Sequence, residues 1–400
     1  MTAALKEFTS PTETDFHQKI SALGPLILKN QEQIELQRRI PIEIIDALKA
    51  AGVFRMTMPK DWGGLELDPI EQLKAIEQLA WFDASVGWCV MIGCDGGLYT
   101  GFLDQNIAKS VFSDIDGVTA SALTATGKAT ITAEGFQVQG RWPFVSGCQH
   151  SDWFLLGCSV YRDGEQQFLP GGAPQTVQCL ISAQDVQILD TWNATGLRGS
   201  GSHDVTVDSV LVPKERTFTY QDLHFHRPHP LYAFPLNIIL NFSSVPIGVA
   251  QRALDELLKC ADRPSRITLI NNQLSEKRTL KDEPYVQDAV GRASSKLQAT
   301  RTYLYSTIGD IWSCLQAGAQ PPPDLFARFQ ALNAFVYDEC TEMTESLYKV
   351  RGGSAVYHGS PFDRCLRDLL TMNQHVMNSR RSYSMAGRVL LGLPPEQILL

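Results

Sequence analysis

The sequence predicts an α+β protein in three parts: an N-terminal helical domain over residues 1–115, a central β domain over 116–220 and a C-terminal four-helix bundle over 221–400. Three observations predict it. Four hundred residues exceed what one hydrophobic core organises, so the chain divides. The apolar period changes from helical to two near residue 116 and returns to helical beyond 220. Strands and helices do not alternate, and no G-x-G-x-x-G opens a helix, which leaves a dinucleotide-binding fold without support.

The elements follow in order. "IEIIDALKAAGVF" is apolar at helical spacing and stops at Gly52, as a helix closed by a left-handed residue does. "MPKDWGGLELDP" is a turn cluster, after which Ile70, Leu73, Ile76 and Leu79 line one side of a second helix. "GFQVQGRW", after a Glu134-Gly135 turn, and "HDVTVDSVLVP", before Pro213, alternate apolar and polar residues as half-buried strands do. Beyond "HFHRPHPLYAFP", Val286, Val290, Ala293, Leu297 and Leu304 form one helical stripe. Further long helices are expected over 236–262, 323–350 and 361–390.

A net charge of -8 argues against a nucleic-acid partner, which requires a basic face. The most apolar run, "FPLNIILNFSSVPIGVA", is interrupted by Asn237, Asn241, Ser243 and Ser244 and is too short to span a membrane. "MTAALKEFTSPTETDFHQK" lacks the apolar segment of a secretion leader. Nine cysteines without a C-x-x-C pair fit a reduced, cytoplasmic protein with no structural zinc.

Two segments of the β domain suit chemistry. In "RWPFVSGCQHSDWFLLG", a strand bearing Trp142 and Phe144 breaks at Ser146-Gly147, placing a hydroxyl and backbone N–H groups beside aromatic faces. That would suit a flat heteroaromatic ring; a strand end with core aromatics reads equally well. "TGLRGSGSHDVTV" offers a polar nest for a phosphate or ring carbonyl, or simply a glycine-rich turn before a strand. His203 follows it directly and reads either way. His224, His226 and His229 lie close together, but two prolines, an arginine and no nearby carboxylate cluster make a poor metal site.

"GRWPFVSGCQHSDW", "GLRGSGSHDVTVDSVLVP" and "RGGSAVYHGSPFDRCLRD" occur in this order in the acyl-CoA dehydrogenase superfamily, which the chain resembles over nearly its whole length. The resemblance implies a central β-barrel, a flavin between that domain and the bundle, and a homotetramer. It implies that Trp142 and Ser146 lie beside the isoalloxazine and that Arg198, Ser200 and Ser202 lie near the same pocket. Gly352 and Gly353 match a pair that approaches a neighbouring subunit's cofactor.

The dehydrogenase branch needs a carboxylate base about two turns after the Arg-Asp pair. Here "NQHVMNS" stands there, and no Asp or Glu occurs between Asp368 and Glu396. "TATGKAT" likewise replaces an acidic, glycine-rich loop. Trp142, Phe144, Ser146, Gly147, Cys148, His150, Asn373, Gln374 and His375 instead resemble the flavin-dependent monooxygenase branch, the oxygenase components of two-component hydroxylases. What this implies is reduced FMN or FAD from a separate NAD(P)H-dependent reductase, O2 as co-substrate, and hydroxylation of an aromatic or heteroaromatic small molecule through a flavin hydroperoxide. An acyl-CoA dehydrogenase with a displaced base is the alternative.

Ser146 is expected to hydrogen-bond the central flavin nitrogen, and His375 to deprotonate or orient the substrate. Asp368, Met372, His375 and Ser379 would share one helix face. Asp95 stands where related hydroxylases carry a histidine, and Asp95, His150, Met372 and His375 are the expected substrate contacts.

Overall fold

The computed structural model describes residues 11–265, 278–378 and 381–394. Among these, the N-terminal helices are α1 (Pro11–Lys29), α2 (Gln31–Gln37), α3 (Ile42–Ala51), α4 (Pro69–Phe82), α5 (Ala84–Gly93), α6 (Gly96–Tyr99) and α7 (Gln105–Val111). Helix α3 ends where its sequence demands: Gly52 takes φ 80° and donates its N–H to the carbonyls of Leu48 and Lys49. Asp83 starts α5 by accepting from the N–H groups of Ser85 and Val86. That helix is buried almost all round, so it is a core element that can carry site residues.

The strands are β1 (Thr119–Ile131), β2 (Gly135–Val145), β3 (Trp153–Arg162), β4 (Glu165–Gln166), β5 (Thr176–Ser182), β6 (Gln187–Leu189), β7 (His203–Pro213) and β8 (Thr217–Phe218). They pair in the order β6-β7-β2-β1-β3-β5-β8, with β4 on β3. The path is open. Its end strands, β6 and β8, have three and two residues and are not paired with each other, so the expected barrel is not closed by hydrogen bonds. Val138, Trp142, Val145, Phe154, Val205 and their neighbours form a core separate from that of the helices.

The bundle comprises α8 (Ser244–Lys259), α9 (Pro284–Gln316), α10 (Pro323–Arg351), α11 (Pro361–Met372) and α12 (Arg381–Leu390). On α9, Val286, Ala293, Leu297 and Leu304 are buried, with Val290 partly so. Two helix expectations need correction. The helix expected over 236–262 begins only at Ser244, after a 3-10 turn at Asn237–Ile239. The helix expected over 361–390 breaks after Met372. There the backbone tightens to i→i+3 bonds, with the His375 N–H donating to the Met372 carbonyl at 3.0 Å, and the Asn378 side chain donates to the same carbonyl at 3.0 Å. His375 therefore sits in a turn rather than on a helix face shared with Asp368 and Met372, and Ser379 lies outside the described residues.

Among the described residues no helix is long and apolar enough to cross a membrane. Nor does any group of three or more His, Cys, Asp or Glu among them suit a metal ion.

Candidate functional site

Strict alternation would put Trp142, Phe144 and Ser146 on one face of β2. The structure departs from it. Trp142 pairs with Val205 and Val145 with His203, so β2 gains a residue over β7, and Phe144 takes φ 61°. This bulge re-aims the side chains. Trp142 turns into the β-domain core, 0% exposed, and donates its indole N–H to the Gly157 carbonyl at 2.7 Å. Gly127 accommodates it, since a Cβ there would fall 2.0 Å from the Trp142 ring. The aromatic face offered outward is that of Phe144, 70% exposed, with Trp192 edge-on at 6.4 Å. Trp142 thus has no ring face free for a flavin, whereas Phe144 does.

Beyond the bulge, Gly147 (φ 74°) donates its N–H to the Ser200 carbonyl at 2.8 Å, joining the two segments that the sequence singled out. The hydroxyls meet there. Ser146 lies 2.7 Å from Ser202, Ser202 lies 2.7 Å from Ser200, and Ser200 donates to the Leu197 carbonyl at 2.7 Å. Trp88, on α5, donates its indole N–H to Ser146 at 3.0 Å.

The Arg-Asp pair holds this nest. Asp368 accepts the N–H of Leu197 at 2.6 Å, and Arg367 donates to the Thr195 carbonyl. Arg198 is committed as well: it donates to the backbone carbonyls of Glu35 and Ala194, so it ties the nest to α2. His203 is likewise held, its Nδ1 accepting the N–H groups of Thr191 and Trp192 at 3.1 Å each. Gly196 lets α11 come close, because a Cβ there would sit 2.0 Å from the Arg367 carbonyl oxygen. Gly196→Ala should therefore lower stability by about 1–3 kcal/mol, as overpacking does, and weaken flavin binding in parallel. Denaturant titration and flavin titration together check this.

His375 packs against Phe242 (ring centroids 4.8 Å apart) and Trp88 (5.7 Å). Burial pushes its pKa down to about 4. Its Nδ1 accepts the Met377 N–H at 3.3 Å, which in the neutral ring places the proton on Nε2. As it stands, His375 is a neutral donor; service as a base would require giving up the Met377 contact. With the folded pKa below the unfolded value of about 6.5, protonation disfavours the fold. Its contribution is complete above pH 6.5 and is lost as pH falls toward 4. NMR of labelled histidine should show a neutral ring at pH 5.5; a midpoint near 6.5 would show that water reaches it.

The remaining candidates are dispersed. His150 packs under Gly147, where a Cβ would lie 3.2 Å from its Nε2. Burial, with Arg39 and Lys49 nearby, pushes its pKa down to about 3. Its surroundings are thus different from those of His375. Met372 is buried core. Asp95 is buried beside the aromatic cluster of Tyr99, Phe102, Phe218 and Tyr220. Burial raises its pKa well above the usual carboxylate range, and its Oδ1 has no hydrogen-bond partner among the described residues. Gly352 (φ 74°) caps α10 and Gly353 follows, on an exposed turn with Val356 and Tyr357.

Sequence reading missed Trp88 as a partner of Ser146, and Phe242 as a wall for His375. The Gly87-Trp88 pair was the available signal for the first. The polar interruptions around Phe242 were the signal for the second: Asn241 is wholly buried, and neither of its side-chain polar atoms has a partner among the described residues. These residues fit a flavin. An exposed aromatic ring, a hydroxyl with a free lone pair and an apolar box around a neutral imidazole are what its ring system and a planar substrate require.

Residues 25–107 match the family model for the acyl-CoA dehydrogenase N-terminal domain, and residues 240–380 the one for the C-terminal domain. The chain belongs to the acyl-CoA dehydrogenase family. Within it, the relatives are oxygenases. Indole-3-acetate monooxygenase of Acinetobacter baumannii is 30% identical, with 91% of this chain and 90% of that protein covered. The flavin-dependent monooxygenase oxygenase subunit HsaA of Rhodococcus jostii is 28% identical, covering 94% and 98%. The crystal structure of 3-HSA hydroxylase from Rhodococcus sp. RHA1 superposes with a TM-score of 0.85 at 26% identity, covering 96% and 99%. This protein is accordingly a flavin-dependent monooxygenase, similar over nearly its whole length to proteins named as oxygenase subunits.

Proposed function

We propose that the protein inserts one oxygen atom of O2 into a planar aromatic or heteroaromatic small molecule, using reduced FMN or FAD supplied by a separate NAD(P)H-dependent flavin reductase; the second oxygen atom leaves as water. The observation that carries this is the outward ring of Phe144 next to Ser146, with the Trp88–Phe242–His375 box beyond it. The bound reduced flavin supplies the two electrons and the activation of oxygen. Phe144 holds the ring system and Ser146 meets its central nitrogen. Trp88 and Phe242 exclude water, which limits unproductive loss of peroxide. His375 orients the substrate by donating from Nε2. Burial disfavours a charge on Asp95.

An indole acid as substrate is supported by the relative that acts on indole-3-acetate. Self-association, as the homotetramer implied by the resemblance requires, is supported by the exposed apolar residues Val356 and Tyr357, which follow Gly352 and Gly353. A cytoplasmic location suits nine unpaired cysteines. The test is an incubation of the protein with a flavin reductase, NADH, FMN or FAD, 18O2 and a panel of indoles and phenols. One 18O atom in a product is expected. Absence of any product, with bound FAD that bleaches on adding an acyl-CoA, would overturn the proposal.

A further inference from the structure

The chain of hydroxyls behind Ser146 has only one arrangement of protons. Three gaps of 2.7 Å separate Ser146 from Ser202, Ser202 from Ser200, and Ser200 from the Leu197 carbonyl. At that distance two oxygens repel unless a proton lies between them. Three gaps therefore need three protons, and the three serines have one each, because a carbonyl has none to give. The Ser200 proton must point to Leu197. The Ser202 proton must then point to Ser200, and the Ser146 proton to Ser202. The far end is well anchored: the Leu197 carbonyl also accepts from the Ser200 N–H and from the Trp192 indole, both at 3.0 Å. Leu197 is itself held through its N–H by Asp368. At the near end, Trp88 occupies one lone pair of the Ser146 oxygen. What remains on Ser146 is one lone pair and no proton.

We propose that this hydroxyl relay makes Ser146 an obligate hydrogen-bond acceptor and thereby selects the reduced over the oxidised flavin. The inference rests on the reading that the flavin's central nitrogen meets Ser146. In reduced flavin that nitrogen carries hydrogen and donates; in oxidised flavin it carries a lone pair, which the Ser146 lone pair opposes. The site then takes reduced flavin from its reductase and releases the oxidised product, with Ser202 and Ser200 acting as positioning residues through Ser146.

The experiment measures dissociation constants of oxidised and anaerobically reduced FMN and FAD, together with the two-electron potential of the bound flavin. The parent and Ser202→Ala are compared, with Ser200→Ala as the second variant. In Ser202→Ala the Ser146 proton loses its acceptor and turns outward. Oxidised flavin should bind more tightly, and the ratio of oxidised to reduced dissociation constants should fall about tenfold, the size of one hydrogen bond gained or lost. A tenfold fall lowers the bound potential by about 30 mV. Ser200→Ala should give a smaller shift in the same direction, because either Ser146 or Ser202 can then fill the gap between them. A parental ratio and potential in Ser202→Ala overturn the relay. If circular dichroism shows that Ser202→Ala does not fold, a parental ratio in Ser200→Ala does the same. If the parent binds neither form of flavin, the proposed function itself falls, which is a different result from an unchanged ratio.

Discussion

His375→Ala should lower product formation about 100-fold while leaving reduced flavin bound, the loss expected when a reacting partner is no longer held in place. Oxygen consumption should continue, with hydrogen peroxide replacing hydroxylated product. The reason lies in the packing: His375 is held between Phe242 and Trp88, and its Nε2 is the polar atom that this apolar box presents. His375→Gln separates the two roles of the imidazole. A glutamine amide reaches as far as Nε2 and donates, but it cannot accept a proton at that nitrogen. If His375 orients by donation, His375→Gln should retain activity within about tenfold of the parent. If it acts as a base, glutamine and alanine should fail alike, with losses in the range of general-base removal, about 100-fold or more. Coupling efficiency, measured as product per oxygen consumed, distinguishes these outcomes from a loss of fold.

The second large effect is on stability. Arg364 on α11 lies 2.7 Å from Glu35 of α2 and 3.4 Å from Asp83 at the start of α5. It therefore joins the bundle to the N-terminal domain beside the nest that Asp368 and Arg367 hold. The side chains of Arg364 and Asp83 are 13% and 3% exposed, so removing the cation strands an anion in the interior. Arg364→Met should lower stability by about 3–5 kcal/mol, as breaking a buried pair does. The loss should grow with pH. Burial and Asp83 push Asp368 up to about 7, above the unfolded value of about 4. A carboxyl raised in this way contributes stability fully at low pH and loses it as pH rises through about 7, where the buried anion forms. Arg364 opposes that charge, so its removal should cost more at pH 8 than at pH 5. Urea titrations at the two pH values check the sign. An equal loss at both would mean that Asp83 and Asp368 do not sense Arg364.

Much of this was legible in the sequence because it follows from local chemistry. Strand β7 runs from His203 to Pro213 as its alternation predicts, and α3 stops at Gly52 because that residue can take a left-handed conformation. That the nest and the Ser146 segment meet was implied by the family resemblance and not by either segment's local pattern. What sequence spacing could not show depends on a single residue's conformation or on a distant partner. Periodicity assigns Trp142 and Phe144 to the same face; only the extra residue in the β2–β7 pairing sends Trp142 inward and Phe144 out. Helical spacing carries α11 past His375; in the structure a tightened turn follows Met372, whose carbonyl accepts from the His375 N–H and from the Asn378 side chain six residues on. Trp88 reaches Ser146 from 58 positions away in the chain, a contact that no local pattern encodes.

The most direct test of the central claim is stopped-flow absorbance of anaerobic protein loaded with reduced FMN or FAD and mixed with oxygenated buffer. A flavin site that controls oxygen chemistry at Ser146 predicts reoxidation in two resolved phases. The second should be slower than reoxidation of free flavin, and faster in Ser146→Ala than in the parent. Single-phase reoxidation at the rate of free flavin, the same in parent and Ser146→Ala, would contradict it.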